Sequence, residues 1–355
     1  MKPVRPLLLG VEGTRLTAAE KAFLTEAPPV GFLLFARNIV SVAQVQDLCA
    51  EMAEYSPFHS PLIAVDQEGG RVQRITFGGR LPPVRAFGEW FATDPTTAQQ
   101  ACELASYLLA AQLRHVGATW LLGPLLDVAT PATHAIIGDR AFAEDAATVT
   151  ALAQAYAKGV ARGGCLRCLK HAPGHGRATA DSHLELPVVT ATQAELQTDF
   201  APFAAMAPQE DFLMTAHIRY TALDAAPATY SPKILNMMRD AWHFGGLILA
   251  DDVGMKALPG NYAERIVTSL EAGCDVAIAA LSVLKHGMAG TTFDAENFSA
   301  LCKASVPMLD AESQAFLAAL QVPAAPNDDD VATARARFAQ LWADSPVRMR
   351  YPLPQ

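Results

Sequence analysis

No stretch of the chain holds the roughly 20 consecutive apolar residues that a membrane-spanning helix needs, so no membrane partner is expected. A secretory leader is not evident either. It needs about 7–15 apolar residues and a small-residue cleavage site, whereas Met1-Lys2-Pro3-Val4-Arg5-Pro6 is followed by only three leucines before Gly10. The expected compartment is the cytoplasm. Charged residues are scarce, at 18%, below what a disordered or highly solvated chain carries. Basic residues are the scarcer sign: 27 Lys and Arg against 36 Asp and Glu leave a formal net charge of -9. A surface of that sign gains nothing from phosphate contacts, which argues against nucleic acid as a partner. Long runs of one charge are missing. The acidic triplet at 328–330 is too short for an interaction tail, and its Pro/Asn setting reads as a loop.

Zinc-type cysteine spacing is also lacking. Of six scattered cysteines only Cys165 and Cys168 form a C-x-x-C, with no second pair to complete a metal site. They lie in an apolar run that reads as a strand, where residues three apart face opposite sides. Buried free thiols, behaving as small hydrophobes, are expected.

Apolar residues, by contrast, make up 51% of the 355 positions, enough for a large core. The length suits one barrel domain with insertions, or two ordinary domains. Short apolar runs at 7–11, 30–35, 62–65, 118–122, 165–170, 212–216, 247–250 and 276–280 read as eight strands, apolar on both faces as covered parallel strands are. Helical spacing appears between them at 42–55, 97–116, 148–162, 193–207, 231–242 and 262–272. The alternation predicts an α/β fold. Eight repeats favour a closed (β/α)8 TIM barrel over an open sheet. Beyond residue 280 the pattern predicts a loop at 287–297, helices at 311–320 and 331–342, and a connector at 322–330. No boundary for a second folded unit is visible. The reading is one domain over 1–355, with 281–355 as C-terminal helical segments packed on the barrel.

Ionisable residues sit where the strands end. Asp66 follows 62–65, Lys170 and His171 end 165–170, His217 ends 212–216, and Asp251 and Asp252 end 247–250. Barrel active sites lie at the C-terminal ends of strands. Singly, each could be a helix cap. The densest segment is Lys170-His171-Ala172-Pro173-Gly174-His175-Gly176-Arg177-Ala178-Thr179-Ala180-Asp181-Ser182-His183, a loop by its glycines and proline. If extended, it turns Asp181 and His183 the same way. The carboxylate then holds one ring nitrogen and favours the imidazolium, as a general acid requires. At Asp251-Asp252 alternation sends one side chain into the lumen, and parity alone does not say which. The segment from Asp66 to Arg74 offers carboxylates and arginines on a Gly-rich loop, suited to sugar hydroxyls or to a salt-bridged surface.

Three segments together resemble the family 3 glycoside hydrolases, specifically the bacterial β-N-acetylhexosaminidases of peptidoglycan recycling. They are Val65-Asp66-Gln67-Glu68-Gly69-Gly70-Arg71-Val72-Gln73-Arg74, the Lys170–His183 loop, and Ala250-Asp251-Asp252-Val253-Gly254-Met255. Pro124-Leu125-Leu126-Asp127-Val128 and Ile137-Gly138-Asp139-Arg140 add to the likeness. The resemblance implies a TIM barrel that removes terminal β-linked N-acetylglucosamine from fragments such as N-acetylglucosaminyl-1,6-anhydro-N-acetylmuramic acid, with or without peptide. It implies Asp251 as nucleophile, His183 as acid/base assisted by Asp181, and substrate contacts from Asp66, Arg74, Arg140, Lys170 and His171. It implies no metal and no organic cofactor. Ala172, Ala250 and Val253-Gly254 depart from the family's usual aromatic, Ser and Leu-Ser. In the mechanism so implied the acid moves between steps, on a loop that Gly174 and Gly176 leave free. Two rivals are a metal-dependent barrel hydrolase built on His171, His175, His183, His217 and Asp251, and a sugar-binding protein without turnover. The sequence leaves the oligomeric state open.

Overall fold

The computed structural model describes residues 3–282 and 292–353. Eight barrel strands are present: β1 (Arg5–Gly10), β2 (Pro29–Leu34), β3 (Ile63–Val65), β4 (Trp120–Leu121), β5 (Leu166–Arg167 and Leu169–Ala172), β6 (Phe212–Thr215), β7 (Leu247–Ala250) and β8 (Val276–Ala279). Each pairs in parallel with its sequence neighbours, and β8 pairs back to β1 through Leu7 and Ala277. The first half of β5 bonds to β4 and the second half to β6. The interruption at Cys168 therefore lies within one strand, and the sheet closes into the expected barrel.

Helices α1 (Ala18–Glu26), α2 (Val42–Ala53), α3 (Val84–Phe91), α4 (Pro95–His115), α5 (Ala146–Arg162), α6 (Gln193–Met206), α7 (Pro232–Asp240) and α8 (Tyr262–Ala272) connect the strands, and α9 (Ala295–Lys303) follows β8. Six match the expected spacing. The pattern missed α1, α3 and α9, of 8 or 9 residues, although α7 was read at the same length. α1 is started by a capping box of Thr17 and Glu20. Residues 295–297, read as loop, belong to α9, while 287–291 lie outside the described residues. After α10 (Ala311–Ala319) comes α11 (Asp328–Asp344). The acidic triplet read as loop is its first turn, with Asn327 accepting from the Asp330 amide. Carboxylates are favoured there by the unbonded N–H groups and the helix dipole.

Two apolar layers separate by strand parity. Leu7, Leu9, Ile63, Val65, Ile248 and Ala250 face outward to the helices. Leu8, Leu62, Ala64, Leu166, Cys168, Leu247 and Leu249 fill the lumen. Leu309 and Leu317, from the start and body of the α10 region, join the lumen cluster, and the Leu309 amide donates to Val4 O at 2.8 Å. On the outside, Trp342 of α11 packs edge-on against Phe87 and Trp90 of α3, with centroids 6.0 and 6.2 Å apart. Cys165 lies in the outer layer and Cys168 in the lumen, both as buried free thiols. Among the described residues no helix is long and apolar enough to cross a membrane.

Candidate active site

Lumen parity decides which polar residues meet. Leu62 and Ala64 point inward, so Asp66 is next in that row; Leu166 and Cys168 lead to Lys170, and Leu247 and Leu249 lead to Asp251. All three line a cavity of about 310 Å³ at the C-terminal end of the barrel, together with Arg74, Arg140, His171, His175 and His183. That volume is within the range of small-ligand sites. Of the expected site residues only Asp181 does not line it; it backs His183.

Four charges interlock on one side. Lys170 Nζ lies 2.8 Å from Asp66 Oδ1 and 2.7 Å from Glu68 Oε1. Arg140 grips Glu68 through Nε at 2.8 Å and a second nitrogen at 2.9 Å. Burial alone would raise the Glu68 carboxyl, but Arg140 and Lys170 overcome it and hold it far below the usual carboxylate range. Lys170 is likewise kept charged: burial works against it, and Asp66 and Glu68 win. Arg74 borders the same space, and its buried Nε has no hydrogen-bond partner among the described residues.

Behind the floor stands Asp127, wholly buried. Its Oδ2 takes the His171 Nδ1 proton at 2.9 Å, and its Oδ1 accepts the His175 amide at 2.7 Å. Burial pushes Asp127 up; the His171 ring and the His175 amide bring it below its ordinary value. With Nδ1 committed, His171 presents Nε2 to the cavity. The peptide bonds Lys170–His171 and Ala172–Pro173 are both cis.

The two aspartates differ. Asp252 Oδ1 accepts from Gly254 N at 3.0 Å and Ala280 N at 3.3 Å, fastening the strand ends. Burial, with the neighbouring Asp251 charge, raises its carboxyl to about 6. Asp251 Oδ1 accepts the Asp252 amide at 2.8 Å. Burial opposes its charge, yet His171, the Asp252 amide and Lys170 hold it below the usual range. Paired carboxyls pushed apart in this way have separate tasks.

His183 reaches the cavity by a turn, not by the extended segment the spacing suggested. Asp181 Oδ1 receives both the His183 amide at 2.9 Å and ring Nδ1 at 2.6 Å. The ring is 15% exposed. Burial would raise Asp181, but the His183 amide and ring bring it below its ordinary value. The loop is docked on the segment after Asp251, with Ala257 N on Ser182 O at 3.2 Å and Lys256 N on His183 O at 3.3 Å. Gly176 has a reason other than freedom to move: a Cβ there would sit 1.7 Å from Val128 O, so only glycine fits.

The metal-ligand set suggested by the histidines does not assemble. His217 Nε2 meets Asp252 O at 3.1 Å, and a carbonyl only accepts, so that nitrogen carries the proton. Nδ1 then accepts from Thr229 Oγ1 at 2.6 Å, and both ring nitrogens are spent. Among the described residues no group of three or more His, Cys, Asp or Glu is arranged to hold a metal ion. Sequence reading gave no individual site role to Glu68 or Asp127, and named His217 only as a strand-end group and as a ligand of the rival metal site. Asp127 stood in a segment that the resemblance quoted, but nothing in a linear pattern says that a carboxylate 44 positions away will orient His171.

The model for the glycosyl hydrolase family 3 N terminal domain matches residues 7–301. A beta-hexosaminidase of Methylococcus capsulatus is 42% identical over 272 residues, 75% of this chain and 80% of that protein. A beta-hexosaminidase of Stenotrophomonas maltophilia (strain R551-3) is 39% identical over 278 residues, 77% of this chain and 82% of that one. The crystal structure of NagZ from Neisseria gonorrhoeae in complex with N-trifluoroacetyl-D-glucosamine superposes with a TM-score of 0.82 at 31% identity, covering 96% of this chain and 98% of that one. The family match runs over well more than half of the chain and agrees with both relatives, so the chain belongs to glycosyl hydrolase family 3.

Proposed function

We propose that this glycoside hydrolase is a retaining β-N-acetylhexosaminidase that removes terminal N-acetylglucosamine, in the cytoplasm, from fragments such as N-acetylglucosaminyl-1,6-anhydro-N-acetylmuramic acid and its peptides. One observation carries the reading: Asp251, held ionised, and His183, braced by Asp181, come from separate segments to line one cavity. The beta-hexosaminidase names of the relatives and the sugar in the Neisseria complex support the substrate class.

Asp251 attacks the anomeric carbon. As the C1–O bond breaks, His183 Nε2 gives its proton to the departing oxygen, and a glycosyl ester forms on Asp251. His183, now neutral, takes a proton from water, which attacks C1, frees Asp251 and returns the sugar with retained configuration. Asp66, Arg74, Arg140, Lys170 and His171 hold the sugar in place for attack. The chemistry draws on no metal and no organic cofactor. A binding protein without turnover has no need of an ionised carboxylate and a carboxylate-braced imidazole lining the same cavity.

The test is mass spectrometry after incubation with a slow fluorinated N-acetylglucosaminide. A covalent adduct on the peptide holding Asp251 is expected, and an adduct elsewhere, or turnover with none, overturns the assignment. His183→Ala is expected to lower kcat by about a hundred- to ten-thousandfold on poor leaving groups and far less on a dinitrophenyl glycoside, whose departure needs no proton. Equal losses on both count against His183 as the acid.

A further inference from the structure

We propose that Glu68 is the positioning residue that aims Lys170 and Arg140 at the sugar; the inference rests on the glycosidase reading above. The Glu68 side chain is 4% exposed and lies between the two cations. Counting donors shows what it does. A lysine has three N–H bonds to give and an arginine five. Lys170 gives one to Asp66 and one to Glu68, which leaves one. Arg140 gives two to Glu68 and one to Ile136 O, which leaves two. Glu68 therefore takes up three of these donors, and the three that remain belong to residues that both line the cavity.

Its own backbone is fixed. Glu68 sits in the short strand Gln67–Gly69, paired antiparallel with Val72–Gln73. Gln67 and Gln73 both donate to Gln112 Oε1 at 3.0 Å, and Tyr156 Oη donates to Gln67 O at 3.0 Å. A carboxylate presented from so rigid a base orients what it grips. Without it Lys170 closes on Asp66 alone and competes with a sugar hydroxyl for that acceptor. Arg140, at the cavity wall, loses the carboxylate it grips.

The experiment compares Glu68→Gln, Glu68→Asp, Arg140→Met, the Glu68→Gln/Arg140→Met double variant and Glu210→Gln, using 4-nitrophenyl N-acetyl-β-glucosaminide, with calorimetric binding of free N-acetylglucosamine. Glu210 is the control. It forms a buried pair with Arg167 on the first half of β5, away from the cavity. Glu68→Gln is expected to raise KM at least tenfold and weaken N-acetylglucosamine by a similar factor, with a smaller fall in kcat. Glu68→Asp recovers part of the loss. The double variant is little worse than the poorer single one, because the two act as a unit. Glu210→Gln leaves KM in place. A Glu68→Gln enzyme with KM within twofold of wild type overturns the proposal, as does a Glu210→Gln enzyme with the same KM shift. If Glu68→Gln does not fold, Glu68→Asp decides: a threefold or larger rise in KM at unchanged Tm supports the role, and a KM within twofold overturns it. A wild-type chain that binds N-acetylglucosamine without turnover defeats the glycosidase reading alone, and the sugar's affinity for the same variants then decides the role of Glu68.

Discussion

At the mouth of the barrel two adjacent aspartates have opposite electrostatic fates. Asp251 faces imidazoles and Lys170, while Asp252 faces backbone amides in a buried niche and is raised to about 6. The sign of the consequence follows from linkage. Near pH 4 the folded Asp252 is protonated and costs nothing. As pH rises the unfolded chain ionises first, so folding stability falls until the pH passes about 6 and is constant above it. Asn keeps the acceptor for Gly254 and Ala280 and does not ionise. Asp252→Asn is therefore expected to gain stability on wild type by up to about 2–3 kcal/mol between pH 4 and pH 8, read by urea unfolding at both values. A difference that does not change with pH would show that Asp252 ionises freely in the folded protein. This assignment was half legible in the sequence: the pair was visible, and the partner of each member was not.

At the scale of elements, close approach governs. Gly159 of α5 lies against α4, where a Cβ would meet Ser106 Oγ at 2.0 Å and Glu103 O at 2.2 Å. Helix propensity alone makes Gly→Ala favourable by about 1 kcal/mol. Forcing two packed helices apart costs about 1–3 kcal/mol, so Gly159→Ala is expected to destabilise, and denaturant unfolding reads the sign. Gly176→Ala meets Val128 O in the same way, but in the loop that carries His183. It is expected to lower kcat more than Tm; a variant with full kcat would detach that contact from the placement of the imidazole. The inter-strand helices α2, α4, α5, α6 and α8, of 11–21 residues, were readable because their apolar period repeats, and α7 was read at only 9 residues. Short α1, α3 and α9 were not, and neither was the hairpin holding Glu68, since two or three residues set no period.

Over the whole molecule, the segment after the barrel is not an appendage. We propose that residues 1–355 fold as one domain, because Leu309 and Leu317 complete the lumen cluster and Trp342 is sandwiched with Phe87, Trp90 and Phe338. Trp342→Ala is expected to lower stability by about 3–5 kcal/mol in one cooperative transition, with KM unchanged. Two separate transitions would mean that the C-terminal helices form their own unit.

The linear order of residues was enough for the strand–helix alternation, the closed barrel and the ring of ionisable groups at strand ends, because backbone periodicity and burial act locally and leave a repeating trace. It also carried the motifs of the family. The resemblance had already implied Asp251 and the Asp181–His183 pair; the closed structure put Asp251 in the lumen row beyond Leu247 and Leu249, formed the Asp181–His183 bond by a turn, and set Asp127 and Glu68 behind groups that border the cavity. Those placements depend on which strand lies beside which and on charges brought together from distant positions, and a low-dielectric wall makes such pairings count only after the chain has folded around them.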